Sequence, residues 1–164
     1  MTDIEKPGRP YRSKRILDVA AAAVGLMIAS PVMVIIAIGV RSTSSGPAIF
    51  RASRVGLHGT PFTLYKFRSM RATQGDSGSL ITAAGDDRIT KIGRFLRATK
   101  LDELPQLVNV LRGDMSIVGP RPEDPSYVDK YTAAQRRILD WRPGLTSPAS
   151  IEYRHEEEIL SAAG

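Results

Sequence analysis

Residues 19–40 read VAAAAVGLMIASPVMVIIAIGV, 22 consecutive residues without a charge. As one α-helix rising about 1.5 Å per residue, the stretch is long enough to cross a bilayer core of about 30 Å. A cleavable leader fits poorly, because its apolar core should be roughly 7 to 15 residues and end in a small-residue cleavage site. A buried helix of a soluble protein is the bland alternative, and the length and lack of charge argue against it.

Two features argue against a simple crossing. Arg12, Lys14 and Arg15 precede the stretch and Arg41 follows it; positive flanks prefer the cytoplasmic side, so both ends favour the same side. Pro31, directly after Ser30, sits near the middle, where it removes one backbone hydrogen bond and collides with the preceding turn. A helix, break, helix element over residues 11–41, dipping into one leaflet and returning, satisfies both observations. A kinked spanning helix is the alternative. The carbonyl freed by Pro31 needs a partner inside lipid, and the Ser30 hydroxyl is one candidate. Asp18, one turn past Arg15, is expected to pair with it at the interface.

Charge is distributed to match. Of 164 residues, the first 71 hold 11 basic and 3 acidic side chains, and the remainder 12 and 14. The basic excess surrounds the apolar run, as attraction to anionic lipid head groups and phosphates requires. Nucleic-acid binding would call for basic residues interleaved with stacking aromatics or for a recognition helix, and neither pattern is evident. The length is that of one ordinary domain, read as an α+β fold: residues 11–41 in the membrane and 42–164 forming a cytoplasmic body. Cysteine is absent, so disulfides and thiolate metal sites are excluded. His58 and His155 lack the spacing of a zinc site.

In the body, AIFRASRVG (48–56) and FTLYKFRSM (62–70) are β-rich runs separated by a Gly-containing turn, which predicts a β-hairpin. Lys66 and Arg68, two apart on a strand, face the same side and can grip one anion together; a solvated edge strand explains them equally well. Residues 72–87 have the composition of a long loop. Ile89, Ile92 and Leu96 recur at helical spacing, giving a short amphipathic helix with Arg94 and Arg97 on other faces.

The segment LDELPQLVNVLRGD (101–114) places Leu104, Leu107, Val108 and Leu111 on one helical face, with Gly113 as a stop and Asp102 at the N-cap. Asp102 and Glu103 then stand at a helix N-terminus, where the dipole and free amides favour an ionised carboxylate, a ready nucleophile or metal ligand. Plain capping explains one such carboxylate without chemistry. Downstream, Arg121 lies between Pro120 and Pro122, whose fixed φ stiffens the loop carrying a forked phosphate donor. Residues 126–140 read as another helix, with Tyr127, Tyr131, Ala134 and Ile138 on one side. Trp141 beyond it suits either a membrane interface or a core.

These residues resemble the monotopic polyprenyl-phosphate phosphoglycosyl transferases, often called bacterial sugar transferases. The resemblance is carried by KRILDVAAA, the Ser30-Pro31 break, YKFRSM, RITKIGRFLRATKLDELPQLVNVLRGDMSIVGPRP and WRPGLT, and covers about Tyr11 to Arg154. It implies a re-entrant helix broken at Ser30-Pro31 with both ends in the cytoplasm. It also implies that Asp102 attacks the β-phosphate of a UDP-sugar, releases UMP and holds the sugar phosphate until polyprenyl phosphate takes it, with Glu103 assisting the acceptor. Mg²⁺ is the implied cofactor, with Asp102 as a ligand, and Lys66, Arg68, Arg97 and Arg121 match the family's basic positions near the phosphates. The implied location is the cytoplasmic face of the bacterial inner membrane, on anionic lipid, with oligomerisation left open. The sequence departs from many relatives after WRPGLT, where Ser147, Pro148 and Ala149 replace Gly-Trp-Ala, so nucleotide contacts there do not carry over. Two other readings stand beside this one: a membrane-tethered Mg²⁺-dependent phosphohydrolase using the same pair, and a non-enzymatic basic adaptor in which the pair is only a cap.

Overall fold

The computed structural model describes residues 12–71 and 87–147. His155 and the predicted loop, except for Asp87, lie outside these residues. The apolar stretch forms one helix, α1 (Arg12–Thr43), with Pro31 inside it. Where the sequence predicts a break, the helix therefore continues, and the reason is local. Pro31 has no N–H to give the Met27 carbonyl, and the Ser30 hydroxyl donates to that carbonyl instead, at 2.9 Å.

One stripe of α1 packs against the body along its whole length. Asp18, Ala22, Ile36 and Val40 are buried, and Leu26, Met33 and Ala37 join them at three- and four-residue spacing on both sides of Pro31. The rest is bare: Ile16, Leu17, Met27, Ile28, Ile35 and Ile38 are 64–70 % exposed. A core helix of a soluble protein would hide these side chains, whereas only 11 % of the most apolar 18 residues of α1 is buried. So large an apolar surface points to a membrane location.

The predicted hairpin forms. Strand β1 (Ile49–Val55) pairs antiparallel with β2 (Pro61–Phe67), from Ile49 opposite Phe67 to Val55 opposite Pro61. The turn closes through left-handed His58 and Gly59, and His58 is exposed. Helix α2 (Lys91–Thr99) starts where the Thr90 side chain accepts from the Gly93 amide at 2.9 Å. A Cβ at Gly93 would fall 1.9 Å from the Ser69 carbonyl oxygen, so this seat beside the end of β2 admits only glycine. Two apolar clusters result: Ala22, Leu64, Leu107, Val110 and Met115 under the first half of α1, and Ile36, Val40, Phe67 and Leu96 under the second.

Helix α3 (Gln106–Arg112) ends at left-handed Gly113 as expected, but its buried face differs. Gln106, Leu107, Asn109 and Val110 are buried, while Val108 and Leu111 are only half-buried. Asn109 explains the rotation. Its Oδ1 accepts from the Tyr65 amide at 3.1 Å, and its Nδ2 donates to the Thr63 carbonyl at 2.7 Å and to Asp114 Oδ2 at 3.1 Å. The side chain thereby satisfies the open edge of β2. Asn109→Ala should cost about 2–6 kcal/mol, because two backbone groups lose their partners at about 1–3 kcal/mol each. Thermal unfolding of the detergent-solubilised chain measures this, and an unchanged midpoint would contradict it.

Two expectations are corrected further on. The single helix predicted over residues 126–140 is three short pieces: α4 (Pro125–Val128), α5 (Ala133–Arg136) and a 3₁₀ turn (Arg137–Asp140). A capping box between Thr132 and Gln135 restarts the chain in the middle. Asp18 does not pair with Arg15: it accepts from Ser116 Oγ at 2.8 Å and the Ile117 amide at 3.0 Å. Arg15 instead donates to the Val110 and Leu111 carbonyls at 2.6 and 2.9 Å, capping the end of α3. The partners of Asp18 belong to β3 (Ser116–Val118), which pairs in parallel with β4 (Gly144–Thr146), a sheet that the sequence did not predict.

Candidate active site

Asp102 and Glu103 lie one turn earlier than expected. They occupy a 3₁₀ turn (Leu101–Glu103), entered through Lys100 in the left-handed conformation, and Pro105 rather than Asp102 precedes α3. Asp102 caps neither element: neither the turn nor α3 has a side-chain cap bond, and among the described residues Asp102 Oδ1 is buried without a hydrogen-bond partner. The turn packs against α2 and β2.

This placement reverses the expected electrostatics of Asp102. Burial raises its pKa above the ordinary 3.8, and the neighbouring Glu103 carboxylate adds to the shift, while the charges of Lys66, Arg97 and Lys100 oppose it. Glu103 goes the other way. Burial alone would raise it, but the Lys66 ammonium, which donates to Oε1 at 2.7 Å, together with Arg121 and Lys100, brings it below its ordinary value. Adjacent carboxyls are thus pushed apart, the arrangement by which a site assigns different roles to two acids.

Four cations converge on the pair: Lys66 from β2, Arg97 from α2, Arg121 from the loop after β3, and Lys100. Lys100 is absent from the sequence-level candidates, and only its left-handed turn brings it here. Arg68 goes elsewhere. Its Nη2 donates to the Ser44 carbonyl at 2.8 Å, just past the end of α1, so Lys66 and Arg68 hold different partners despite their spacing. Arg97 Nη1 also lies 3.9 Å from Met70 Sδ. Trp141, 49 % exposed and therefore not a core residue, lines a shallow depression with Arg121, Tyr131 and Pro143.

Among the described residues no cluster of three His, Cys, Asp or Glu side chains forms a metal cage. A two-carboxylate site nevertheless fits Mg²⁺, which binds one or two carboxylates and completes its shell with water and substrate phosphates. The orphaned Asp102 Oδ1 is a buried oxygen that such a cation would satisfy.

The chain is 45% identical over 144 residues to a Caulobacter vibrioides protein named UDP-glucose:undecaprenyl-phosphate glucose-1-phosphate transferase, a match covering 84% of this chain and 53% of the relative. A Klebsiella pneumoniae protein of the same name is 41% identical over 151 residues, covering 90% and 32% of the two chains. An Aeromonas hydrophila UDP-N-acetylgalactosamine-undecaprenyl-phosphate N-acetylgalactosaminephosphotransferase is 38% identical over 143 residues, covering 84% and 33%. The chain thus spans about half the length of the first of these relatives and about a third of the other two. The family described as Bacterial sugar transferase matches residues 10–162, which include α1, the hairpin, the carboxylate pair and the Arg121 loop. This chain belongs to the bacterial sugar transferase family.

Proposed function

We propose that the protein is a membrane-bound phosphoglycosyl transferase that moves a sugar 1-phosphate from a UDP-sugar to polyprenyl phosphate at the cytoplasmic face of the bacterial inner membrane. The observation that carries this reading is the carboxylate pair, Asp102 buried and Glu103 half-buried, ringed by Lys66, Arg97, Lys100 and Arg121, within a fold that also bears an exposed apolar helix. An ionised Asp102 attacks the β-phosphorus; the bond from that phosphorus to the bridging oxygen breaks, and UMP leaves with the oxygen. The sugar phosphate stays on Asp102 as an acyl phosphate. An oxygen of polyprenyl phosphate then attacks the same phosphorus and expels the Asp102 carboxylate, giving the diphosphate-linked sugar.

Lys66, Arg97 and Arg121 stabilise charge on the transferring phosphoryl group, and Arg68, at the end of α1, is proposed for a phosphate nearer the membrane. Glu103, held ionised by Lys66, is assigned to the acceptor half. Mg²⁺, held by Asp102 and substrate oxygens, would offset the repulsion between carboxylate and phosphates. UMP release that turns over only when polyprenyl phosphate is present is the test. Steady hydrolysis without acceptor would favour the phosphohydrolase reading, and no release with any UDP-sugar would leave the adaptor.

We also propose that α1 enters and leaves the membrane on one side. Both halves pack on the same body, and basic residues flank both ends. Cysteines placed at Ser13 and Ser42 should label from the cytoplasm only. Periplasmic labelling at Ser13 would overturn re-entry. Pro31→Leu, which restores the missing amide, should shift part of the population towards a spanning form.

A further inference from the structure

Lys14 and Asp18, on the first turns of the apolar helix, reach over to β3. Lys14 Nζ donates to Ser116 Oγ at 2.9 Å and to the Val118 carbonyl at 3.0 Å. Asp18, 6 % exposed, accepts from the Ser116 hydroxyl and the Ile117 amide, so three successive residues of β3 are gripped from α1. An apolar anchor needs none of these bonds, and a carboxyl group buried at the start of a membrane helix is kept only where hydrogen-bond partners compensate for lost water. Immediately after β3 the backbone is held from the other side. The Gly119 amide donates to the Thr146 carbonyl at 3.0 Å, and the Pro120 carbonyl accepts from Gly144 at 2.8 Å. A Cβ on Gly144 would fall 2.1 Å from the Gly119 nitrogen, so the chain just past β3 packs on β4 with no slack. The next residue is Arg121.

We propose that Lys14 and Asp18 are positioning residues: acting through β3, they fix the Pro120-Arg121-Pro122 loop so that Arg121 faces the Asp102–Glu103 pair. The membrane helix is then part of the catalytic scaffold as well as an anchor. The chain of contacts runs from α1 to β3 by side-chain hydrogen bonds and from β3 to Arg121 by three backbone steps stiffened by two prolines. This inference rests on the transferase reading for its kinetic consequence and on geometry alone for its structural one.

A double-mutant cycle in lipid nanodiscs tests the first. Lys14 is exposed, so Lys14→Met should leave the fold intact. It should lower kcat for UMP release by roughly tenfold, equivalent to about 1.4 kcal/mol. In the Arg121→Ala background, with no guanidinium left to position, the same change should cost less than about twofold. Equal losses in both backgrounds would overturn the proposal. Asp18→Asn keeps an oxygen for the Ile117 amide and should retain more activity than Asp18→Ala; equal loss in the two would also count against it. Amide hydrogen exchange of the substrate-free full chain tests the structural part. Lys14→Met should speed exchange at Ile117, Val118, Gly119 and Arg121 while the β1–β2 hairpin stays protected. Unchanged exchange there, or loss of protection throughout, would refute the positioning role. Exchange confined to this loop in a chain that releases no UMP would support the positioning and reject the transferase reading.

Discussion

Asp102→Asn should abolish UMP release, with a fall of roughly a thousandfold or more, equivalent to about 4 kcal/mol in the barrier. The substitution removes a nucleophilic oxygen and its charge while keeping nearly the same volume, so the 3₁₀ turn and its packing on α2 and β2 should survive. Because Asp102 Oδ1 makes no hydrogen bond with the described residues, no native hydrogen bond of that atom is lost. Unfolding midpoints should match those of the wild type within error. Glu103→Gln should behave differently, retaining the donor half-reaction while slowing transfer to the acceptor. Equal loss of both half-reactions in Glu103→Gln would remove the division of labour between the two carboxyls.

The second large effect is expected at Lys66, and its sign follows from the order of the influences on Asp102. Burial raises that carboxyl most; the Lys66 charge lowers it more than Glu103 raises it. Ionised Asp102 is the reactive form, so the donor half-reaction should weaken as pH falls through a pKa above 3.8. Lys66→Met removes the larger opposing influence, and Glu103 loses its ion pair at the same time. Even if Glu103 then becomes protonated and ceases to repel Asp102, the net shift of Asp102 is upward. The acid limb should therefore move to higher pH, and the plateau rate should fall by roughly tenfold or more, since a cation also leaves the phosphate site. Pre-steady-state UMP release across pH measures both. An acid limb that stays in place, or moves down, would mean that Lys66 does not act on Asp102.

Legibility in the sequence followed the range of the interactions. The hairpin and α2 could be read because runs of β-branched and aromatic residues, turn glycines and helical spacing are local signals. The apolar helix was legible too, and so was the Ser30 hydroxyl as the partner of the carbonyl that Pro31 abandons. Helix α3 was found but turned on its axis: Asn109 looks polar and hence outward, and only the unpaired edge of β2 shows why it is buried. The parallel pair β3–β4 joins two three-residue strands far apart in sequence, too short for any pattern. For the acids, the N-cap reading predicted stabilised charge at Asp102. The left-handed Lys100 leads that residue into a buried turn ahead of α3, where desolvation is the largest influence on it. The Thr132 to Gln135 capping box was present in the sequence and signals the restart that divides residues 126–140.

Trapping the covalent intermediate tests the central claim most directly. Wild-type protein in nanodiscs, mixed with a UDP-sugar that it turns over and quenched without polyprenyl phosphate, should gain the mass of one sugar phosphate. Fragmentation should locate the added mass on Asp102, and addition of polyprenyl phosphate before the quench should remove it. An adduct on another residue, or UMP release that begins only when acceptor is added and leaves no adduct, would contradict a two-step transfer through Asp102.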